Sequence, residues 1–275
     1  MILWYKKYSS ILRASVITAL EYKANSMVGL FAILSGLLVE YLIWSMVYSS
    51  ENTGQTIQGI TTQWSFNRLI AYIFLSMIIG QLKSSWVTSH EMIMQIRQGF
   101  MNQYIVKPLS FFSYHLMNFI GTNILYYIPY SLLIFFSPFI FNDIIFINSI
   151  QIPFFLLALI MSIYLSYSIY FFMVCFAFWF GEVRALLAAY NISMFVLAGQ
   201  IIPLDFFPEV YNQIINYTPI PYLIKFPVDI AMATQINLFH WLYLLLIGLF
   251  WCVVMRFLSS LLYNFGIRRY EAYGA

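Results

Sequence analysis

The sequence predicts an all-α membrane protein that forms a single domain over residues 1–275, with six transmembrane helices. Two observations carry this prediction. The chain is 62% hydrophobic and only 8% charged, with a mean hydropathy of +0.81, whereas a water-soluble domain needs far more charged surface. Its basic residues also lie mostly in alternate links between long apolar stretches. Outside the spans we expect an N-terminal amphipathic helix, a helix between spans two and three, and short re-entrant helices between spans five and six.

The six apolar stretches are each about as long as the roughly 20 residues that cross the hydrocarbon core of a bilayer. Helices are predicted because lipid leaves no water to satisfy open strand edges, and the alternating pattern of barrel strands is missing. The predicted spans are 27–48, 67–86, 112–136, 153–180, 185–204 and 238–265.

Residues 1–24 have the pattern of an amphipathic helix lying on the membrane surface. One face carries apolar or small side chains, and another carries polar and charged ones. The first face comprises Tyr8, Leu12, Val16 and Ala19, and the second Lys6, Ser10, Arg13 and Glu21. The alternative is a simple lead-in to the first span.

Glu40 lies well inside the first span, where a carboxylate is costly unless it is paired, protonated or hydrated. Gly29, Ala32 and Gly36 share its face, and small residues let another helix approach closely. We therefore expect Glu40 to face protein or a pathway rather than lipid. It is either a contact for substrate or protons, or a buried polar link to Asn67, Arg68 or a tyrosine.

Residues 88–105, between spans two and three, predict one amphipathic helix. Its polar stripe is Glu91, Gln95, Gln98 and Asn102, and its apolar stripe is Met92, Ile96, Phe100 and Tyr104. Lys107 and Pro108 then end the helix, because the residue before a proline avoids the helical region. The polar stripe could dock on a soluble partner while the apolar stripe rests on the bundle. The alternative is a surface linker with no partner.

Span four places Ser162, Ser166 and Tyr170 on one stripe, with Tyr164 and Tyr167 beside it. Such a polar and aromatic wall could line a pathway for an amphipathic or cationic aromatic compound. The alternative is that these tyrosines belong to the aromatic belts at the membrane interfaces.

Residues 198–237 stay fairly apolar, but prolines divide them into pieces too short to span a bilayer. The prolines that we single out are Pro203, Pro208, Pro219 and Pro221. The segment predicts short re-entrant or interfacial helices on the outer face rather than a solvated loop.

The orientation follows from ten of the 13 basic residues, which lie in alternate segments: Lys6, Lys7, Arg13, Lys23, Lys83, Arg97, Lys107, Arg184, Arg268 and Arg269. The opposite segments hold only Arg68 and Lys225, and Arg256 lies inside the last span near its cytoplasmic end. By the positive-inside rule both termini are cytoplasmic. The basic excess thus reports topology, and no nucleic-acid partner is expected.

Motifs for catalysis and cofactor binding are missing from the sequence. It contains neither a phosphate loop nor a G-x-S-x-G elbow. The stretch His90–Met94 begins like a zinc-protease motif, but Met94 occupies the second ligand position, and the chain has only three histidines. We therefore expect no enzyme activity, no metal and no cofactor in this chain, which leaves transport or scaffolding.

Three passages, in their order, resemble the ABC-2 type permease family, the transmembrane subunits of one class of ABC exporter. The first runs from Glu91 to Gly99 and on from Tyr104 to Ser110, and resembles the family's coupling segment. The second is the Phe178–Arg184 passage. The third contains the Gly199–Leu204 passage together with the prolines named above, and resembles the outer segment after span five.

The resemblance implies a mechanism and partners. A second permease, identical or homologous, would form the pathway with this chain. Separate ATPase subunits would bind ATP and Mg and act on the coupling helix, where Glu91 would have a docking role. The membrane would be a bacterial plasma membrane. The alternatives are an ATP-independent channel or carrier, and a scaffold that transports nothing.

Overall fold

The computed structural model describes residues 2–21, 23–50, 56–59, 63–106, 109–141, 144–145 and 148–270. Thirteen α-helices occupy most of this part of the chain, with one antiparallel β-hairpin and two short 3-10 helices, at Leu204–Phe206 and Ile220–Leu223. The strands are β1 (Thr56–Gln58) and β2 (Gln63–Ser65). The helices are α1 (Ile2–Glu21), α2 (Lys23–Ser50), α3 (Phe66–Leu82), α4 (Trp86–Arg97), α5 (Asn102–Val106), α6 (Phe111–Thr122), α7 (Ile124–Ile140), α8 (Gln151–Val174), α9 (Ala177–Phe180), α10 (Arg184–Leu197), α11 (Glu209–Asn216), α12 (Lys225–Ala231) and α13 (Leu238–Ile267).

The all-α fold is confirmed, with four helical segments long and apolar enough to cross a membrane: Met27–Ser49, Phe66–Arg97, Gln151–Phe180 and Leu238–Ile267. A fifth candidate is the pair α6 and α7, which bend by 56° where the sequence predicted one straight span. The predicted span 185–204 is α10, a helix of 14 residues. At 1.5 Å per residue it is about 21 Å long, which is shorter than the roughly 30 Å hydrocarbon core. The described residues therefore support four or five spans.

The N-terminal helix α1 lies along α6, and its faces are as predicted. Tyr8 is buried, whereas Lys6, Ser10 and Arg13 are exposed. The contact is close because α6 has a glycine there: a Cβ on Gly121 would lie 2.9 Å from the carbonyl oxygen of Leu12. Helix α1 thus packs on protein along its apolar face.

The prediction of one helix over 88–105 is wrong in its continuity. Helix α4 ends at Arg97, and α5 begins at Asn102. Between them Gly99 adopts a φ of +80°, a backbone conformation that is strained for residues with a Cβ. Lys107 and Pro108, predicted to end the helix, lie outside the described residues.

One end of the bundle gathers several basic segments, and we call it the basic end. There Arg97 on α4 pairs with Glu182, after α9, and the backbone N–H of Met101 donates to the Tyr270 hydroxyl at 3.2 Å. The hydroxyl of Tyr8 accepts from the N–H of Ser110 at 3.4 Å. Both ends of the described chain therefore lie at this end.

The opposite end, the hairpin end, contains β1, β2 and the short helices over 204–231. The indole N–H of Trp64, on β2, donates to Asp205 Oδ2 at 2.9 Å. Each predicted proline stands at a short helix: Pro203, Pro208 and Pro219 directly precede one, and Pro221 is the second residue of Ile220–Leu223. Proline suits the start of a helix because it has no N–H to leave unpaired there.

The core lies around α3 and α8. Ten of the 17 residues of α3 and 14 of the 24 residues of α8 are buried. Gly248 on α13 lets that helix approach α8, since an added Cβ would collide with Met161. Helix α2 contrasts with this core, because only 6% of its most apolar stretch is buried.

Candidate functional site

A polar network joins α4 to α6 at the basic end. The carboxylate of Glu91 accepts from Gln95 Nε2 at 3.1 Å and from Asn118 Nδ2 at 2.9 Å. Glu91 and Gln95 are each half-buried. These two members of the predicted polar stripe therefore contact the protein's own helix α6.

The network continues into α1 and α5. The Ser15 hydroxyl donates to Asn118 Oδ1 at 2.8 Å, which joins α1 to the network. On the other side, the Tyr104 hydroxyl donates to Gln95 Oε1 at 2.9 Å, and His115 Nε2 lies 3.1 Å from the same oxygen. Networks of this kind restrict the positions of all their members. The network therefore links α4 to α1, α5 and α6.

The turn between α4 and α5 exposes a mixed surface. Gln98 and Asn102, the other two residues of the predicted stripe, are exposed there. Three large apolar side chains are exposed beside them, Met94 by 44%, Phe100 by 57% and Val106 by 83%. We call these five residues the coupling surface, after the coupling segment that this part of the sequence resembles. An exposed apolar group rimmed by polar residues is typical of a site that binds another protein.

A second link reaches the same region. The carboxylate of Glu182 pairs with Arg97 on α4 and, at 3.1 Å, with Arg184 at the start of α10. All three side chains are more than 40% exposed, so the pairs add little stability. They do place the passage 178–184, quoted for the family resemblance, beside the coupling surface.

The serines of the predicted stripe on α8 bond within the subunit. Ser162 donates to the carbonyl of Leu223 and Ser166 to the carbonyl of Lys83, and both serines are fully buried. They hold α8 against the short 3-10 helix at the hairpin end and against the end of α3.

Tyr170, the third residue of that stripe, differs because it lines a cavity of about 200 Å³ between α3, α8 and α10. Its hydroxyl donates to Asn191 on α10. Lys83 and Gln200 line the same cavity. Lys83 is only 6% exposed, and no carboxylate in the described ranges pairs with it.

The sequence pattern did not predict Lys83 as a site residue, because its charge fits the positive-inside rule without any further role. The available signal was its position directly after the largely apolar helix that ends at Leu82. A buried ammonium group beside Tyr170, Asn191 and Gln200 makes this cavity polar on one side.

Glu40 is half-buried on the exposed helix α2. Of the small residues on its face, Gly29 and Gly36 lie close to other helices, whereas Ala32 is exposed. A Cβ on Gly29 would lie 2.8 Å from Tyr126 on α7, and one on Gly36 would lie 3.0 Å from Met77 on α3. Glu40 therefore lies on the face of α2 that packs against the rest of the subunit.

A larger polar cavity, of about 590 Å³, opens at the hairpin end. Charged side chains of both signs line it: Arg68, Asp205, Glu209, Lys225 and Asp229. Lys225 donates to Asp229 at 2.9 Å, and the charge of Asp229 raises the pKa of the Lys225 ammonium above its ordinary value. Within the described ranges no three or more His, Cys, Asp and Glu side chains gather as metal ligands.

The family model described as "ABC-2 family transporter protein" matches residues 33–274. The match begins inside α2 and continues through α13, so it includes the coupling surface, both cavities and the polar network except Ser15 on α1. No curated protein matches the chain.

Proposed function

The chain belongs to the ABC-2 transporter family and is therefore a permease component of an ABC transporter; we propose that it works in an ATP-driven exporter. Separate ATPase subunits bind ATP and Mg, and a second permease, identical or homologous, completes the pathway. The complex lies in a bacterial plasma membrane, with the basic end in the cytoplasm. The basic residues that lie at that end support this orientation.

The observation that carries the proposal is the coupling surface. Phe100 and Val106 expose apolar area on a turn that also presents Gln98 and Asn102. A soluble ATPase that docks there covers this apolar area. The sequence contains no phosphate loop of its own, so the energy of ATP reaches the permease through such a contact.

The polar network supplies the route from docking to movement. When the ATPases close on ATP, they displace the turn after α4. The bonds of Glu91 and Gln95 to α6, and of Asn118 to α1, carry that displacement into the membrane. A bundle that has two packed arrangements converts a small shift of this kind into opening on one side or the other.

The second permease packs against α2, whose apolar surface is almost wholly exposed in the single subunit. Glu40 is then buried between subunits or faces the pathway between them. The cavity containing Lys83 and Tyr170 lies beside α10, and it supplies polar contacts along that pathway. At the hairpin end, the short helices over 204–231 dip into the outer leaflet and hinder the return of cargo.

Co-purification of the ATPase with variants of the coupling surface tests the proposal. We expect Phe100→Ala to reduce the ATPase that copurifies by at least about tenfold, since truncating one buried interface aromatic typically costs about 2 kcal/mol or more. Transport by reconstituted vesicles falls in parallel. Membrane insertion is unchanged, because no span is touched.

The matched control is Phe239→Ala at the start of α13. Phe239 is an exposed phenylalanine like Phe100, with 88% of its side chain exposed, but it lies at the hairpin end. Equal loss in both variants would show a general defect. Full transport without any ATPase in the complex would favour the ATP-independent channel or carrier, and normal ATPase binding without transport of any cargo would favour the scaffold.

A further inference from the structure

A groove runs along the surface of the bundle between α8 and α13. Its volume is about 890 Å³. Met161 and Cys252 are buried and form its floor, whereas Leu157, Leu249 and Val253 line it and are 55%, 53% and 68% exposed. The groove is therefore apolar over most of its length and open to the surroundings of the bundle.

The groove becomes polar toward the basic end. Along α13 its lining passes from Leu249 and Val253 to Arg256 and Ser260. The direction is fixed because α13 continues to Gly266, which packs against Phe178 at the basic end. One end is thus hydrocarbon-like and the other is cationic, which is the polarity of a lipid in the leaflet at that end.

Arg256 has no acidic partner among the residues that the structure describes. Its guanidinium carbon lies 3.9 Å from the centre of the Phe112 ring, and Nη1 donates to Ser260 Oγ at 2.6 Å. A guanidinium carries five N–H donors, so most of them remain for a ligand. A charge inside a membrane protein is normally neutralised by a partner or by water.

We propose that this groove binds one anionic phospholipid of the cytoplasmic leaflet. The phosphate accepts hydrogen bonds from Arg256 in the geometry that guanidinium groups offer to phosphates. One acyl chain lies along Leu249, Val253 and Leu157. Basic pockets between transmembrane helices on the cytoplasmic side select anionic headgroups in the same way.

The proposal is independent of the ATPase, because α8 and α13 do not contribute to the coupling surface. The lipid fills the groove and supplies the counter-ion that Arg256 lacks within the chain. It thereby holds α13 against α8 at the level of Phe112, where α6 begins.

Native mass spectrometry of the full chain, released from nanodiscs with equal amounts of phosphatidylglycerol and phosphatidylcholine of identical chains, tests this inference. We expect the wild type to retain phosphatidylglycerol preferentially, because the choline ammonium opposes the guanidinium. Arg256→Gln should reduce that preference by about tenfold, as expected for the loss of one charge-assisted contact. Arg269→Gln is the matched control, since it removes the same charge from the basic end without touching the groove.

Val253→Trp provides a second variant that keeps Arg256 but fills the apolar part of the groove. It should retain less of both lipids, and it carries the test if Arg256→Gln yields no folded protein. Unchanged lipid retention in both variants would overturn the proposal. So would equal losses in Arg256→Gln and Arg269→Gln, or a protein partner that occupies the groove in place of lipid.

Discussion

Glu91 divides its two carboxylate oxygens between its own helix and α6. Oε1 accepts from Gln95, one turn later, and Oε2 accepts from Asn118. Asn118 in turn accepts from Ser15 on α1. A single amide therefore connects three helices, and its removal leaves a half-buried carboxylate with one oxygen unpaired.

We expect Asn118→Ala to lower the free energy of unfolding by about 1–3 kcal/mol, the usual cost of leaving a buried polar group unsatisfied. Thermal unfolding of the purified protein measures this change. Asn102→Ala is the control, because Asn102 is exposed and such substitutions usually stay within about 0.5 kcal/mol. Equal melting temperatures for the two variants would show that the Asn118 bonds add no stability.

The polar stripe on α4 was only partly predictable from the sequence. The stripe Glu91, Gln95, Gln98 and Asn102 is visible from spacing alone, yet its first half bonds inward and its second half stays exposed. The difference depends on Asn118, which lies 27 positions from Glu91. Periodicity within one helix carries no information about such a distant partner.

Among the elements, α1 and α6 show how a helix contact depends on one small residue. An added Cβ on Gly121 would lie 2.6 Å from the Ser15 Cβ and 2.9 Å from the Leu12 carbonyl oxygen. The second neighbour is backbone and cannot rotate away. We expect Gly121→Ala to push α1 off α6, to cost about 1–3 kcal/mol of stability and to make α1 sensitive to protease.

Limited proteolysis with a melting curve measures both effects. Ala14→Leu adds more volume to α1, but on its exposed face, so it should leave both readings close to wild type. If protease cleaves α1 in Gly121→Ala no faster than in the wild type, the two helices accommodate the added methyl group without strain.

Elements with a strong apolar pattern are the ones that the sequence predicted well. The predicted first and last spans, 27–48 and 238–265, fall within α2 and α13. The apolar pattern did not predict the interruption of the third span: Asn123 separates α6 from α7, which bend by 56° and pack against α1 and α3. The hairpin of β1 and β2 was missed, because three-residue strands are too short for periodicity to register.

At the scale of the whole molecule, the two ends of the bundle have opposite character. Arg97, Glu182 and Tyr270 mark the basic end, and Trp64 and Asp205 mark the hairpin end. The positive-inside rule assigns the first to the cytoplasm. Single cysteines in exposed positions at the two ends can test this assignment directly.

We expect Gln213→Cys to react with a membrane-impermeant maleimide on intact cells, and Gln98→Cys to react only after lysis. Both side chains are exposed. Cys175 and Cys252 are buried, so the background is low, and the wild-type chain controls for it. Labelling of Gln98→Cys from outside intact cells would reverse the orientation.

The contact of α1 with α6 also has a consequence during synthesis. Ser15 and Asn118 are 103 residues apart in the chain, so at translation rates of about 5–20 residues per second α1 precedes its partner by roughly 5–20 s. Throughout that interval the apolar side that carries Tyr8 has no protein to cover it. A nascent amphipathic segment can bury its apolar side in the lipid headgroup region. When α6 is synthesised, it replaces lipid on that side of α1 with protein.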